Sequence, residues 1–220
     1  MIQLEHITKT YPVGDGLTVL NDACLTVDDG EYVGILGPSG SGKSTMLHIM
    51  GLLDRPTSGR LIFNNREVNA LDDRELSMLR GRLVGFVFQS FHLVPQLSVS
   101  ENVELPLFYQ GVPRSQRRER ARKALAQVGM SSRMRHVPSQ LSGGERQRTA
   151  IARALVTEPA LVLADEPTGN LDSRTGGDIV ELLNALHAEG RTIVMITHDR
   201  EIAATLPRVV QIRDGKLEEG

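Results

Sequence analysis

Residues Gly37-Pro-Ser-Gly-Ser-Gly-Lys43-Ser44 have the types and spacing of a loop that cradles phosphate. They fit GxxxxGK[ST] without a gap. Gly40 and Gly42 let backbone N–H groups turn inward around phosphate oxygens. A helix starting at the end of the loop adds the partial positive charge of its N-terminus. Lys43 would reach the β- and γ-phosphates, and the Ser44 hydroxyl would ligate Mg²⁺. Pro38, Ser39, Ser41 and Thr45 belong to the same candidate site. An ordinary Gly–Ser turn before a surface lysine has a similar composition. The flanking pattern, a strand before and a helix after, favours the phosphate loop. A second cluster closes an apolar run, Leu161-Val-Leu-Ala-Asp165-Glu166. Asp165 at the strand end would hold Mg²⁺ through water, opposite Ser44. Glu166, one residue on, points elsewhere and can polarise a water for attack on a γ-phosphate. Two solvated acids at the start of a loop are the plain reading of this cluster alone. Beside a phosphate loop, the catalytic reading prevails.

The elements that must carry these residues follow from periodicity. Ile2–Thr10 alternates as a strand, and Thr18–Val27 follows a Gly-containing loop. Tyr32–Leu36 is a compact buried strand, followed after the loop by a helix from about Lys43 to Leu52. Arg55-Pro-Thr-Ser-Gly59 breaks that helix. Leu61–Asn64 and Leu83–Val87 read as further strands. From Phe91 to about Glu158 the pattern is helical. Then come strand Leu161–Ala164, helix Thr175–Ala188, strand Thr192–Ile196 and a last strand Val209–Arg213. A strand-rich start, a helical stretch and a closing α/β alternation predict a nucleotide-binding core with an inserted helical lobe.

Composition excludes several alternatives. A length of 220 residues suits one large domain or two joined lobes. The net charge of −2 argues against nucleic-acid binding driven by bulk phosphate attraction. The lone Cys24 rules out a disulfide framework or a cysteine-rich zinc site. Aromatics at 4% and the absence of Trp leave no extended base-stacking platform. The other histidines, His6, His48, His92, His136 and His187, show no metal-ligand spacing. The N-terminus lacks a signal-like apolar core, and no apolar run reaches the length of a membrane span. A soluble, cytoplasmic chain is expected, with any membrane role supplied by a partner. The basic run Arg114–Lys123 reads as a solvated helix face or as a contact for anionic lipid or a membrane partner.

Further segments give the pattern a family resemblance. Leu141-Ser-Gly-Gly-Glu145 resembles the ABC signature, Gln89 the Q-loop glutamine, His198 the switch histidine, and Gly169-Asn-Leu-Asp172 the D-loop. Tyr11 sits where the adenine-stacking aromatic is expected, although a Tyr before Pro12 is also ordinary packing. All occur in family order. The resemblance implies the ABC ATPase fold, an α/β P-loop NTPase with a RecA-like core, an N-terminal antiparallel β subdomain and an inserted α-helical subdomain. Residues 1–90 and 159–220 would form the core, and residues 91–158 the helical subdomain. It further implies ATP with Mg²⁺ held by Ser44, Gln89 and Asp165. Catalysis would fall to Glu166 and His198 with Gln89 and Lys43. The nucleotide would lie between the phosphate loop of one protomer and Ser142, Gly143, Gly144 and Glu145 of its partner in an ATP-dependent homodimer. Ser142 is also a plain helix cap. Asp172 would shape the dimer interface. Glu145 departs from the usual Gln, and an exchange with Arg146 or Arg148 is expected there.

Leu53-Asp-Arg-Pro-Thr-Ser-Gly59, Glu101-Asn-Val-Glu-Leu-Pro106 and Ala164–Asp172 are similar to the LolD, MacB and FtsE branch. That resemblance implies a separate or fused permease with a large extracytoplasmic domain, and a position on the inner face of the cell membrane. A soluble ABC ATPase acting on nucleic acid or ribosomes is the alternative. It would usually carry a coiled coil, zinc modules or a second cassette, none visible in the sequence. A GTPase would need an Asn-Lys-x-Asp motif, which is absent.

Overall fold

A computed structural model describes residues 1–14 and 16–219. In chain order the elements are β1 (Ile2–Tyr11), β2 (Leu17–Val27), β3 (Tyr32–Leu36), α1 (Lys43–Met50), β4 (Ser58–Phe63), β5 (Arg66–Glu67) and α2 (Asp73–Leu83). Then follow β6 (Val84–Phe88), α3 (Val99–Tyr109), α4 (Arg114–Gln127), α5 (Gly143–Leu155), β7 (Leu161–Asp165) and α6 (Ser173–Ala188). The last are β8 (Thr192–Thr197), α7 (Arg200–Ala204), β9 (Arg208–Arg213) and β10 (Lys216–Glu219). The chain forms two compact units, Met1–Arg80 with Gly190–Gly220, and Gly81–Glu189.

The first unit holds an antiparallel sheet in the order β2-β1-β4-β5. Alternation explains β1: Ile2 and Leu4 are buried and pair with Val27 and Leu25 of β2. The register shifts between Leu4 and Ile7, where His6 adopts a φ of 53°. In the same unit β3 lies between β8 and β9, parallel to both, and β10 closes antiparallel on β9. Strands covered on both faces lose alternation and become continuous apolar runs. Tyr32–Ile35 and all six residues of β8 are buried accordingly. Met46, Leu47, Ile49 and Met50 of α1 are fully buried. Each such side chain contributes roughly 1.5–3 kcal/mol over its exposed state, so the helix that follows the phosphate loop is firmly seated.

In the second unit β6 and β7 pair in parallel, with Val84 opposite Leu161 and Phe88 opposite Asp165. Helix α3 starts at a capping box, in which Ser98 Oγ accepts from the Glu101 N–H and the Ser98 N–H donates to Glu101 Oε2. Buried Asn102 holds the preceding loop: its Nδ2 donates to Val94 O and Leu97 O, and its Oδ1 accepts from Val94 N–H at 2.7 Å.

Several sequence expectations change. The helical stretch begins at Val99 rather than Phe91. Phe91 and His92 have φ of 59° and 49°, which no helix continues, and Arg153 Nη2 holds the Phe91 carbonyl at 2.7 Å. Leu83 closes α2 instead of opening a strand. Val209–Arg213 is not the last strand, because β10 pairs with it residue by residue from Lys216↔Arg213 to Glu219↔Val210.

Candidate active site

The first unit carries the phosphate loop. Buried β3 delivers the chain to Gly37, and α1 receives it at Lys43. Gly42 caps α1 with a φ of 103° and offers no side chain to the first-turn N–H groups. A Cβ at Gly42 would sit 2.8 Å from Val19 O, so both conformation and space require glycine. The loop is tied at its back by Gly215 N–H to Ser41 O, 3.2 Å. Lys43 is buried, and its Nζ donates to Gly37 O and Pro38 O, both at 2.8 Å. The Ser41 hydroxyl is buried with no hydrogen-bond partner. A buried ammonium, an unsatisfied hydroxyl and an uncapped helix N-terminus form a cradle suited to an anion. Ser44 stands exposed beside it, and Thr45 is half-buried.

Tyr11, in the same unit, is more constrained than its sequence context reveals. Its hydroxyl donates to Asp54 Oδ2 at 2.8 Å, and Lys9 Nζ lies 4.8 Å from the ring centroid. Lys9 also donates to Asp54 Oδ1 at 2.6 Å. Burial pushes the Asp54 carboxyl upward, but hydrogen bonds from Lys9, Tyr11 and the Arg55 N–H outweigh it and hold the group below the ordinary carboxylate range. The carboxylate and the ammonium together fix the ring. If the ring stacks a nucleotide base, Asp54→Ala should weaken binding of a fluorescent ATP analogue about threefold to tenfold, the equivalent of one hydrogen bond. Equilibrium titration checks this, with Tyr11→Phe expected to fall between the two. His198 leaves the buried end of β8 exposed, just before Asp199 caps α7 by accepting from Glu201 N–H at 2.8 Å.

The second unit carries the signature, the strand-end acids and the glutamine. Ser142 caps α5: its Oγ accepts from Glu145 N–H at 3.2 Å, and Glu145 Oε2 accepts from Ser142 N–H at 2.9 Å. Gly143 and Gly144 open the helix behind that cap. The remaining oxygen, Glu145 Oε1, takes Arg133 Nε at 2.8 Å. The exchange expected with Arg146 or Arg148 is therefore corrected. Arg146 donates to Leu141 O and Arg148 to Val128 O, while the capping geometry turns Glu145 toward the 131–133 turn. The Ser142 N–H first, and Arg133 second, hold the Glu145 carboxyl below its usual range.

Asp165 ends β7, and Glu166 follows at a φ of 45°, a left-handed conformation that costs a non-glycine residue roughly 1–3 kcal/mol. Two further residues support this turn: Gln147, outside the motifs the sequence offers, and Asn170, inside the Gly169–Asp172 segment. Gln147 is fully buried on α5 and donates Nε2 to Pro167 O at 2.8 Å, while its Oε1 has no partner. Its signal was available: it shares a helix face with Ala150, Ile151 and Ala154, all buried. The second is Asn170, bonded to Gln89. Asp172 caps α6, accepting from Thr175 N–H at 3.0 Å.

Comparison with known proteins puts these motifs in one context. The sequence profile described as ABC transporter matches residues 20–169. The chain belongs to the ABC transporter family. YknY of Bacillus subtilis (strain 168), an uncharacterized ABC transporter ATP-binding protein, is 50% identical over 218 residues, 99% of this chain and 95% of YknY. The macrolide export ATP-binding/permease protein MacB of Hyphomonas neptunium is 49% identical over 99% of this chain, which spans 34% of MacB. Among solved structures, the ATP-binding cassette MJ0796, dimeric and bound to ADP and Pi in a post-hydrolysis state, matches at a TM-score of 0.90 and 44% identity. The match covers 100% of this chain and 98% of that one. This ABC cassette is accordingly the ATP-binding subunit of a transporter and an ATPase, and the reading as a non-transport ATPase gives way.

By chemistry alone, Ser44 of the first unit carries a hydroxyl, and Gln89 and Asp165 of the second carry an amide oxygen and a carboxylate, each a hard oxygen donor of the kind Mg²⁺ takes. Among the described residues no three His, Cys, Asp or Glu side chains form a metal cluster.

Proposed function

We propose that the chain is the motor of a MacB- or LolD-like complex, in which ATP-driven closure of a homodimer moves a membrane permease with a large extracytoplasmic domain. The observation that carries this reading is the near-complete match to single-cassette relatives, joined to a match with one third of a protein named for both ATP binding and a permease. No helix among the described residues is long and apolar enough to cross a membrane. The cassette would lie on the cytoplasmic face.

The chemistry assigns each residue a task. Tyr11 holds the base, and Gly37–Thr45 wraps the phosphates. Lys43 neutralises charge on the β- and γ-oxygens. Ser44, Gln89 and Asp165 would hold Mg²⁺, which when bound spreads the developing charge over the β- and γ-phosphates. Glu166 accepts a hydrogen bond from the attacking water, and His198 orients that water against the γ-phosphate. The new P–O bond forms as the β–γ bridge breaks, leaving ADP and phosphate with a proton released from the water. Ser142, Gly143, Gly144 and Glu145 of the partner protomer complete the anion site, so product formation removes the contact that keeps the dimer closed. Residues 91–158 form the lobe that meets the permease.

Purification of the tagged chain from native membranes in detergent tests the reading. A stoichiometric integral membrane protein, retained through a second column together with ATPase activity, is expected. Recovery of the chain on ribosomes or nucleic acid instead would overturn it.

A further inference from the structure

The loop after Glu166 contains a side chain whose bonds constrain Gln89. Asn170 Nδ2 donates to the Gln89 main-chain O at 3.0 Å, and Gln89 Nε2 donates to Asn170 Oδ1 at 3.3 Å. Both residues belong to the second compact unit. A primary amide has one donating and one accepting end, and a half-turn exchanges them. Asn170 cannot make that half-turn without facing its oxygen to a carbonyl oxygen. Its Oδ1 is therefore the end that meets Gln89, and an oxygen acceptor selects the Gln89 NH₂. The Gln89 Oε1 is left as the end available to a further partner.

Gly169 supports the arrangement from another side. A Cβ there would lie 2.6 Å from Gln89 Nε2 and 3.0 Å from its Cδ, so the amide rests directly on the glycine backbone. The loop itself is held by Gly169 N–H to Glu166 O and Leu171 N–H to Thr168 O, both 3.0 Å. Orientation, packing and loop closure all act on the same amide.

We propose that Asn170 is a positioning residue that sets the Gln89 amide so that its oxygen, and not its NH₂, is presented to nucleotide-bound Mg²⁺. The inference rests on the reading of Gln89 as a cation ligand. A cation is attracted by the amide oxygen and repelled by the NH₂, so a flipped amide would oppose the metal it is meant to hold. The pairing also joins the glutamine to the loop that begins at Glu166. Movement of that loop would therefore release the amide.

The test measures affinity for a fluorescent, non-hydrolysable ATP analogue with and without Mg²⁺ in wild type, Asn170→Ala, Gln89→Ala and the double variant. Asn170→Ala should reduce the Mg²⁺-dependent tightening about threefold to tenfold and leave Mg²⁺-free affinity unchanged. That unchanged affinity also reports an intact fold. Gln89→Ala should lose the same tightening, and the double variant should lose no more than either alone. Asn170→Ser, too short to reach the Gln89 amide, should reproduce Asn170→Ala. If Gln89→Ala loses the tightening while both Asn170 variants keep it, or if the losses add, Asn170 does not position the amide and the cation reading stands. If Gln89→Ala keeps it, the cation reading itself falls and the positioning role with it.

Discussion

Glu166→Gln should bind ATP as wild type does and hydrolyse it about 10²–10⁴-fold more slowly, the usual contribution of a positioned base. The substitution is nearly isosteric, so it tests chemistry rather than packing. The turn that carries Glu166 is held through the main chain, by Gly169 N–H to Glu166 O and by Gln147 to Pro167 O. An amide at position 166 leaves those bonds in place. What it loses is the carboxylate oxygen that draws a proton from the attacking water. With the γ-phosphate intact, the proposed contact across the dimer persists, and an ATP-bound dimer should accumulate. Size-exclusion chromatography with ATP and Mg²⁺ would detect it. A persistent monomer together with undiminished hydrolysis would defeat both the assignment of the base and the cross-dimer site. The left-handed φ of Glu166 is met equally by glutamine and glutamate, so the substitution leaves the backbone penalty of the turn unchanged.

The site motifs were legible because phosphate chemistry constrains sequence directly. A glycine at position 42 is demanded by a left-handed φ and by the approach of Val19 O, and a lysine at position 43 by the need for a buried cation. Elements that carry no such demand were harder to see. Helix α2 buries only Leu76, contains Gly81 and leaves Met78 exposed, so no apolar stripe marks it. Strand β10 reads Lys-Leu-Glu-Glu, and its pairing with β9 uses the backbone rather than an apolar face. Helix α7 has five residues and owes its start to Asp199. The supporting residues Asp54, Gln147 and Asn170 act through partners distant in sequence: Asp54 through Lys9 and Tyr11, Gln147 through Pro167, and Asn170 through Gln89. Local patterning holds no record of such pairs. Glu145 illustrates the same point. Its neighbours in sequence offered Arg146 and Arg148, but one oxygen is committed to the cap, and the other faces Arg133, twelve positions earlier.

Ser142→Arg should abolish hydrolysis while each protomer still binds ATP. Losing the cap at α5 costs about 0.5–2 kcal/mol, which the buried face of Ala150, Ile151, Ala154 and Leu155 can absorb. Lys43 and its loop carbonyls lie in the other compact unit and are untouched by the change. Arginine removes the hydroxyl and fills the mouth of the second anion site, so the partner's γ-phosphate would find the α5 N-terminus blocked. Ser142→Ala separates blockage from loss of the hydroxyl: it removes the hydroxyl, and the cap with it, without filling the mouth of the site, and should lose less activity than Ser142→Arg. Affinity for a fluorescent ATP analogue, measured on monomer, should stay within about twofold of wild type, less than one hydrogen bond's worth. Loss of binding would place Ser142 at its own protomer's nucleotide and refute a shared site. Mixing supplies a stricter comparison. Lys43→Ala and Ser142→Arg proteins are each expected to be inactive alone, yet a mixed dimer pairs the intact loop of one with the intact signature of the other. Equal mixing makes half the dimers mixed, each with one good site of two, so about a quarter of wild-type activity should return if the sites act independently across a two-fold axis. A site completed within one protomer would regain none.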